Sequence, residues 1–476
     1  MNDAPVSVTA VFDVGKTNKK FFLFDENYEI VLQNQISLEQ IEDEDQDPAE
    51  DLDALVDWIR SELTSVLENP RYQITDLNFS TYGASLVHLD EQDEPVTPVY
   101  DYLKPYPDDI KKALYSAHGG EEQFALETAS PPMGMLNSGL QLYWLKNQKK
   151  DLFKKIRNTL HFPQYLSFLF TRNIAAELTS VGCHTAMWDF CEMDYHNWLE
   201  EEGLRDLLPT IEPVTGKQSV TYNDQTFNVG MGIHDSSAAL APYLNAMDSP
   251  FLLLSTGTWS ITFNPFSKGQ LTFEELQRDC LCYLNIYGEQ VKAARVYLGN
   301  EYRHQKEKLM TYFNIEEGQD EIDVDSELLK KLVTENSDSK KLKLETAHSS
   351  GPFQSEESGI WNISQFSSYR EAYHQLLTDL VTIQHECIQL TEGTQNVENV
   401  IVTGGFGNND FFLKLLATRL PGKKVYSASM PHATAIGAAM VMHDGNTEAE
   451  SLKKLLSLNL HTGLDNTGLE NYSRSR

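Results

Sequence analysis

The sequence predicts an α/β protein of two domains, and three observations carry that prediction. The first is length: 476 residues exceed what one hydrophobic core ordinarily serves, so two domains of roughly 200 to 250 residues each follow. The second is alternation, because strand-type and helix-type apolar patterns succeed one another along the chain. The third is a repeated unit of apolar strand, Gly and Thr turn, and second apolar strand, present at 6–24 and again at 250–263. Such a repeat suggests two related domains facing each other across a cleft.

Lysine and arginine number 38 against 70 aspartates and glutamates, a formal charge of −32. That surface repels nucleic acid and anionic membranes, so neither is an expected partner. An anionic ligand such as a nucleotide then needs local help from glycine-rich backbone donors, a few lysines or a divalent metal. Cys183, Cys191, Cys280, Cys282 and Cys387 are odd in number and form no metal-type quartet, which points to reduced thiols in a cytoplasmic protein. Cys280 and Cys282 share one face of a strand pattern and read as buried thiols. The stretch Met1-Asn2-Asp3-Ala4-Pro5 has no basic region and no apolar run approaches bilayer length, so neither secretion nor membrane insertion is expected.

Val6 to Phe12 and Phe21 to Phe24 read as strands around Asp13-Val14-Gly15-Lys16-Thr17-Asn18-Lys19-Lys20. This is either an ordinary hairpin turn or one whose amides and hydroxyls hold a phosphate. The acidic run Glu39 to Asp53 reads as a solvated loop. It leads into a helix whose core face is Leu52, Leu55, Val56, Ile59, Leu63 and Val66. Ile74 to Thr81 is a strand, followed by Tyr82-Gly83-Ala84-Ser85 and the run Leu86 to Leu89. The Tyr100-Asp101-Tyr102 cluster suits a sugar's face and hydroxyls, and equally a packed loop. Asn137 and Gln141 are one helical turn apart, so both amides could point at one ligand. Pro163 sits in the first turn of a helix over 161–170. His184, in the polar stretch Glu177 to Asp189, reads as a structural histidine.

Near the midpoint, Gly230-Met231-Gly232-Ile233-His234-Asp235-Ser236-Ser237-Ala238-Ala239-Leu240 is a loosened loop, an acid with two serines, then a helix of small residues. That order aims the Asp235 carboxylate out of a helix N-terminus, as a catalyst or as a cap. Pro250 to Leu254 and Ile261 to Phe263 are strands around Ser255-Thr256-Gly257-Thr258-Trp259-Ser260. The segment 316–344 reads as charged surface helix and loop, and 369–390 as a helix. Val397 to Val402 is a strand running through Thr403-Gly404-Gly405-Phe406-Gly407-Asn408-Asn409 into a helix over Phe411 to Leu420. His432 to Met440 begins a helix of small residues, which lets a flat ligand or a neighbouring backbone come close. No dinucleotide fingerprint with its acidic partner is present, so a nicotinamide cofactor is not supported.

Taken together these turns resemble the FGGY family of carbohydrate kinases, within the actin-like ATPase superfamily, from about Val11 to Met442. Asp13 to Lys20 is similar to the family's first phosphate motif and Ser255 to Ser260 to its second. Thr403 to Asn409 with Ala433 to Ala439 looks like its adenosine site, and Gly232 to Ala239 like the segment holding its catalytic aspartate. Ser80 to Ser85, Asn137 with Gln141, His234-Asp235 and Ser255 to Ser260 look most like the L-rhamnulokinases and L-fuculokinases. The chain also departs from the pattern. Lys16 and Asn18 stand where hydroxyl residues are usual, Lys20 where arginine is common, and His432 where an acid is frequent. Ser85 stands where the rhamnulokinases have an aspartate, which leaves the sugar open.

The resemblance implies two actin-like (RNase H-like) ATPase domains, mixed sheets flanked by helices with an interdomain cleft. The expected division is 1–246 for the sugar and the catalytic aspartate and 247–476 for the nucleotide. ATP and Mg²⁺ are the implied cofactors. A ketose is the implied substrate, a 6-deoxy-ketohexose such as L-rhamnulose or L-fuculose first and a xylulose- or ribulose-type ketopentose second. Asp235 would be the base and Asp13 the Mg²⁺ residue. Gly15, Thr17, Asn18 and Lys20 would steady the phosphates from one side and Thr256, Gly257 and Thr258 from the other, with Gly404, Gly405 and Asn408 at the adenosine. Gly83, Ser85, Asp101, Asn137, Gln141 and His234 would orient the sugar, together with Asp235. His234 is a weaker nominee as base, since phosphoryl transfer to an alcohol often uses a carboxylate. A Ser-His-Asp hydrolase on Ser236 lacks a nucleophile elbow. A sensor on the same fold would need neither Asp235 nor Asp13, and a homodimer stays open.

Overall fold

In a computed structural model the described residues are 4–316, 318–320, 322–335, 338–346, 359–393, 397–443 and 449–464. Met1 to Asp3 and residues 317, 321 and 336–337 of the charged segment lie outside them. The chain forms two compact units, one of residues 1–246, 282–290 and 431–452, the other of 247–281, 291–430 and 453–476. The sequence reading placed the two short segments 282–290 and 431–452 in the second domain.

In the first unit, the strand Val6–Val14 lies inside a mixed sheet, antiparallel to Lys19–Phe24 and parallel to Tyr72–Thr81. Lys19–Phe24 pairs onward with Ile30–Ile36, and Tyr72–Thr81 with Gln225–Gly230 and Ile233–His234. Val8, Ala10, Val11, Phe12 and Val14 are all at most 1 % exposed. An apolar run on both faces marks a strand covered on both sides. Phe12 stacks between Phe21 and Phe79, with centroids at 4.5 and 5.7 Å. The helix Leu52–Leu67, capped by Asp51 through Ala54 N–H, lays the fully buried Leu55, Ile59 and Leu63 against this core at a spacing of four. Each such side chain contributes about 1.5–3 kcal/mol of burial.

The acidic run before that helix is largely solvent-exposed, as expected, at Glu39, Glu42, Glu44 and Asp45, but Asp43 and Glu50 are buried and the run carries two short strands. Its strands Ile41–Glu42 and Pro48–Glu50 pair antiparallel, and Val99–Tyr100 pairs with the second of them. Lys104 then sits among Asp43, Asp45 and Asp47 at 2.6, 3.1 and 2.7 Å. One buried lysine thus gives three mutually repelling carboxylates a common partner, with Asp43 buried against it and Asp45 and Asp47 partly open.

The helix Asp235–Ala246 follows the strand Ile233–His234 directly. It packs on the helix Ala433–Val441 so closely that a Cβ on Gly437 would lie 1.9 Å from the Ala238 carbonyl oxygen. Asn78 joins the same parts: its Nδ2 donates to Ala438 O at 2.8 Å and its Oδ1 accepts from Gly232 N–H at 3.0 Å. The small residues of 432–440 therefore admit a neighbouring backbone, the second of the two uses read from the sequence.

The second unit repeats the central arrangement of the first. Phe251–Thr256 is antiparallel to Ser260–Asn264 and parallel to Asn399–Gly404. Ser260–Asn264 pairs onward with Gln290–Val296, and Asn399–Gly404 with Lys424–Ser427. The long helix Tyr369–Glu392 joins its sheet through Gln384, which bonds both Ser260 and Thr262. All five cysteines are free thiols, and Cys191 alone among them is exposed. Among the described residues no helix is long and apolar enough to cross a membrane.

Candidate active site

Asp235 opens its helix with 35 % of the side chain open to solvent, and Ser236 Oγ donates to its Oδ1 at 3.2 Å. Burial raises its carboxyl to about 6, tempered by Ser236. His234 lies next to it with Nε2 3.2 Å from Asp235 Oδ1 and Nδ1 3.3 Å from Ser237 Oγ. Burial pushes the imidazole down to about 4, so His234 is neutral at pH 7 and a weaker base than the carboxylate beside it. The strand pairing that brings both here aligns Ile233 with Ser80 and His234 with Thr81.

Asp13 ends the central strand, opposite Lys20 on one side and Ser80 on the other. Burial raises its carboxyl to about 6, the charge of Asp235 adds to the rise, and Lys20 works against it. Asp13, Lys20 and Asp235 are thus brought within electrostatic reach of one another. In the turn between them, Gly15 N–H donates to Asn18 O at 3.0 Å, and Thr17 and Asn18 are exposed. Asn18 Oδ1 accepts from Ser37.

Two carboxylates whose ionisation burial opposes are hard oxygen donors that a divalent cation would favour. Among the described residues no group of three or more His, Cys, Asp or Glu could hold a metal unaided. That donor set fits Mg²⁺, which keeps much of its water and takes other oxygens from phosphates.

The residues expected around the sugar divide. Gly83 comes close to His234, where a Cβ would lie 3.0 Å from Nε2, and closer still to Cys183 Sγ. Ser85 is 2 % exposed, with its carbonyl accepting from Phe162 N–H. Asn137 and the Nε2 of Gln141 are taken by the protein's own backbone, while the buried Gln141 Oε1 has no hydrogen-bond partner among the described residues. Asn137 accepts from Met133 N–H and donates to His184 O, while Gln141 Nε2 donates to the Ala84 and Met135 carbonyls. Buried amides take the backbone groups that loops leave unpaired, and so these two fix the walls of the region. Asp101 is likewise engaged: Lys16 Nζ donates to its Oδ2 at 2.7 Å, Gln40 to the same oxygen at 3.0 Å and Leu103 N–H to Oδ1 at 2.9 Å. Burial would raise this carboxyl, but those three donors hold it below its ordinary value.

In the second unit Gly257, Gly405 and Asn408 line a cavity of about 700 Å³, with Tyr302, Tyr373 and Phe406 among its walls. Thr256 does not face it as expected. Its hydroxyl donates to Thr403 O and accepts from Phe406 N–H, and its carbonyl takes Gly405 N–H at 2.6 Å. Thr256 therefore pins the glycine turn rather than meeting a phosphate. Gly404, at φ +77°, would bring a Cβ to 2.0 Å from Thr256 O, so only glycine fits. Thr258 is exposed, and its carbonyl accepts from Asn300 N–H. Ala433 to Ala439, read with the adenosine site, belong to the first unit.

The sequence reading missed Lys19 and Glu50, and met Lys16 only as a departure from the usual hydroxyl residue of the turn. Lys19 and Glu50 form an ion pair of 2.6 Å with side chains 2 % and 3 % exposed, and Tyr82 OH donates to Glu50. Lys19 Nζ also donates to Lys16 O at 3.1 Å. Alternation alone could not have found the buried lysine, because Phe21 and Leu23 on the face of Lys19 and Phe22 and Phe24 on the face of Lys20 are equally apolar and equally buried. Glu177 was also missed. Its carboxylate accepts from Thr179 N–H and Ser180 N–H, and Thr179 Oγ1 accepts from His234 N–H at 3.1 Å.

Residues 8–234 match the family model described as FGGY family of carbohydrate kinases, N-terminal domain. Residues 248–451 match the one described as Carbohydrate kinase FGGY, C-terminal domain. A rhamnulokinase of Halalkalibacterium halodurans is 28 % identical over 225 residues, which is 44 % of this chain and 46 % of that protein. The chain thus spans about half the length of the curated relative it matches. A carbohydrate kinase from Novosphingobium aromaticivorans superposes with a TM-score of 0.81 at 22 % identity, over 98 % of this chain and 97 % of that one. A ligand-bound xylulose kinase from Lactobacillus acidophilus gives 0.75 at 17 % identity, over 98 % and 96 %. These two likenesses are of fold.

Proposed function

The chain belongs to the FGGY family of carbohydrate kinases, and from that premise we propose that it transfers the γ-phosphoryl group of ATP to a hydroxyl of a small ketose, with Asp235 as base. The observation that carries this reading is the Asp235 carboxyl, at the start of a helix, partly open and raised to about 6. A base needs both the ionised form at working pH and an affinity for the proton, and a value near 6 supplies both. His234, pushed down to about 4, takes the lesser part of orienting the sugar. Mg²⁺, held near Asp13 through its water, supplies positive charge to the phosphates. Within the first unit, Lys20, Thr17 and Asn18 are the side chains proposed to steady the phosphates, with Gly15 shaping their turn through its N–H to Asn18 O; within the second, Gly257 is the proposed phosphate residue. The cavity beside Gly405 and Asn408 takes the adenosine. In this reading 1–246 forms the sugar-binding part and 247–476 the nucleotide-binding part, with 282–290 and 431–452 completing the first.

A 6-deoxy-ketohexose is the first choice of sugar, supported by the motif likeness and the rhamnulokinase relative, and a ketopentose is the second. The test is ADP release from Mg-ATP across L-rhamnulose, L-fuculose, D- and L-xylulose, D- and L-ribulose and glycerol. Turnover with one ketose, lost by roughly a thousandfold or more in Asp235→Asn while ATP still binds, is the expected result. Undiminished turnover in Asp235→Asn would remove it from the reaction, and no turnover with any of these sugars despite tight ATP binding would favour a sensor or a sugar outside the panel.

A further inference from the structure

Lys16 occupies the turn between Asp13 and Lys20, and its side chain reaches across to Asp101. Its ammonium lies 2.7 Å from Asp101 Oδ2, 5.3 Å from the Tyr102 ring centroid and 5.7 Å from that of Tyr82. Both ends of the residue are fixed. The buried Lys19 donates to the Lys16 carbonyl at 3.1 Å, and Asp101, itself anchored by Gln40 and Leu103 N–H, holds the head group. Of the ion pair, Lys16 is the solvent-facing member, 23 % exposed against 7 % for Asp101.

We infer that Lys16 is a substrate-positioning residue, whose ammonium, held by Asp101 between Tyr82 and Tyr102, donates hydrogen bonds to oxygens of a neutral sugar. This rests on the kinase reading above and deepens it. An ammonium has three N–H donors, and Asp101 Oδ2 engages one of them, so the others remain for a ligand on the open side. Such a head group is already ordered, so a sugar that meets it loses little entropy to the contact. Charge selects the ligand class. Asp101 cancels Lys16, and Asp13 and Asp235 outnumber Lys20, so a sugar acid is repelled where a polyol is not. The Tyr102 phenol, raised by burial and by the charges of Asp101 and Asp235, ties the same wall electrostatically to the base. Asp101 then acts through Lys16 rather than on the sugar itself.

The experiment is steady-state kinetics of the full chain with the ketose that the panel identifies, on Lys16→Met, Asp101→Asn and the double variant. Lys16→Met should raise the sugar KM by about 10- to 100-fold, the range of a lost charged hydrogen bond. The Mg-ATP KM should stay within about twofold. Asp101→Asn should move the sugar KM in the same direction, and the double variant should be no worse than Lys16→Met. A rise in the Mg-ATP KM with the sugar KM unchanged would make Lys16 a phosphate contact, and no change in either would make it a spectator. Both outcomes overturn the inference. Lys16→Gln, which keeps a donor, serves if Lys16→Met does not fold, and its sugar KM should also rise. A parent that turns over no sugar sinks the kinase reading alone. Lys16 is then tested by calorimetry with the same sugars, and the inference falls if none binds or if Lys16→Met binds equally well.

Discussion

Replacing Gly437 by alanine sets two known effects against each other. Alanine inside a helix is favoured over glycine by about 1 kcal/mol, so propensity alone predicts a more stable protein. Against this stands a Cβ 1.9 Å from Ala238 O and 2.6 Å from its carbonyl carbon, where real Cβ contacts almost never fall under 3.0 Å. The obstacle is backbone, so no side chain can swing aside, and the two helices must part by about 1 Å. Overpacking of this kind costs about 1–3 kcal/mol, which offsets or exceeds the gain. Activity is the sharper readout. Ala238 lies one turn from Asp235, and a base displaced by about 1 Å loses on the order of a hundredfold in rate. The assay is kcat at saturating substrates together with urea unfolding of Gly437→Ala. Gly269→Ala, whose new Cβ meets nothing within 4 Å, is the control. A Gly437→Ala protein more stable than its parent and equally active would refute the argument.

Lys19→Met takes the cation from the buried Glu50 carboxylate and should cost about 3–5 kcal/mol of unfolding free energy. Lys19→Met with Glu50→Leu should recover most of it, whereas a single-variant cost below about 1 kcal/mol would show that the pair is not closed to water. The pH profile of kcat/KM should fall as pH drops through about 6, where Asp235 gains its proton, by roughly tenfold per unit below it. A profile flat down to pH 5 would exclude that assignment. Stability should move oppositely. The folded chain holds the Asp13 and Asp235 protons more tightly than the unfolded chain, whose ordinary value is 3.8, so these two groups make it less stable as pH rises from 3.8 to about 6. Thermal melts across that range, compared with the Asp13→Asn and Asp235→Asn proteins, check the sign.

The hairpins at Asp13 and at Gly257 and the helix start at Asp235 were legible because each is local. A period of two, a glycine and a small-residue helix declare themselves within a dozen residues. What periodicity gives is the face on which a side chain lies, and it is silent on the partner it meets there. Hence Lys19 could not be joined to Glu50 from the sequence, and the acidic run could be seen without Lys104. Asn137 and Gln141 were placed on one side of a helix turn, but backbone carbonyls from residues 84, 135 and 184 claimed them. Thr256 failed for a similar reason, since its hydroxyl answers the loose ends of the 403–406 turn. The return of 282–290 and 431–452 to the first unit left no local mark, because a helix of alanines reads alike wherever it docks.

That return has a consequence for how the protein is made. A ribosome releases residues 1–246 long before the helix Ala433–Val441 that packs on Asp235–Ala246 exists. Roughly 180 residues intervene, which at 5–20 residues per second is about 10 to 40 s of synthesis. Through that interval the nascent first unit carries an uncovered seam of Ala238 and its neighbours. A chain cut short anywhere before 431 loses the lid of its first unit and, of its second, at least residues 453–476. Its early half should therefore meet the cell's chaperones as an unfinished protein.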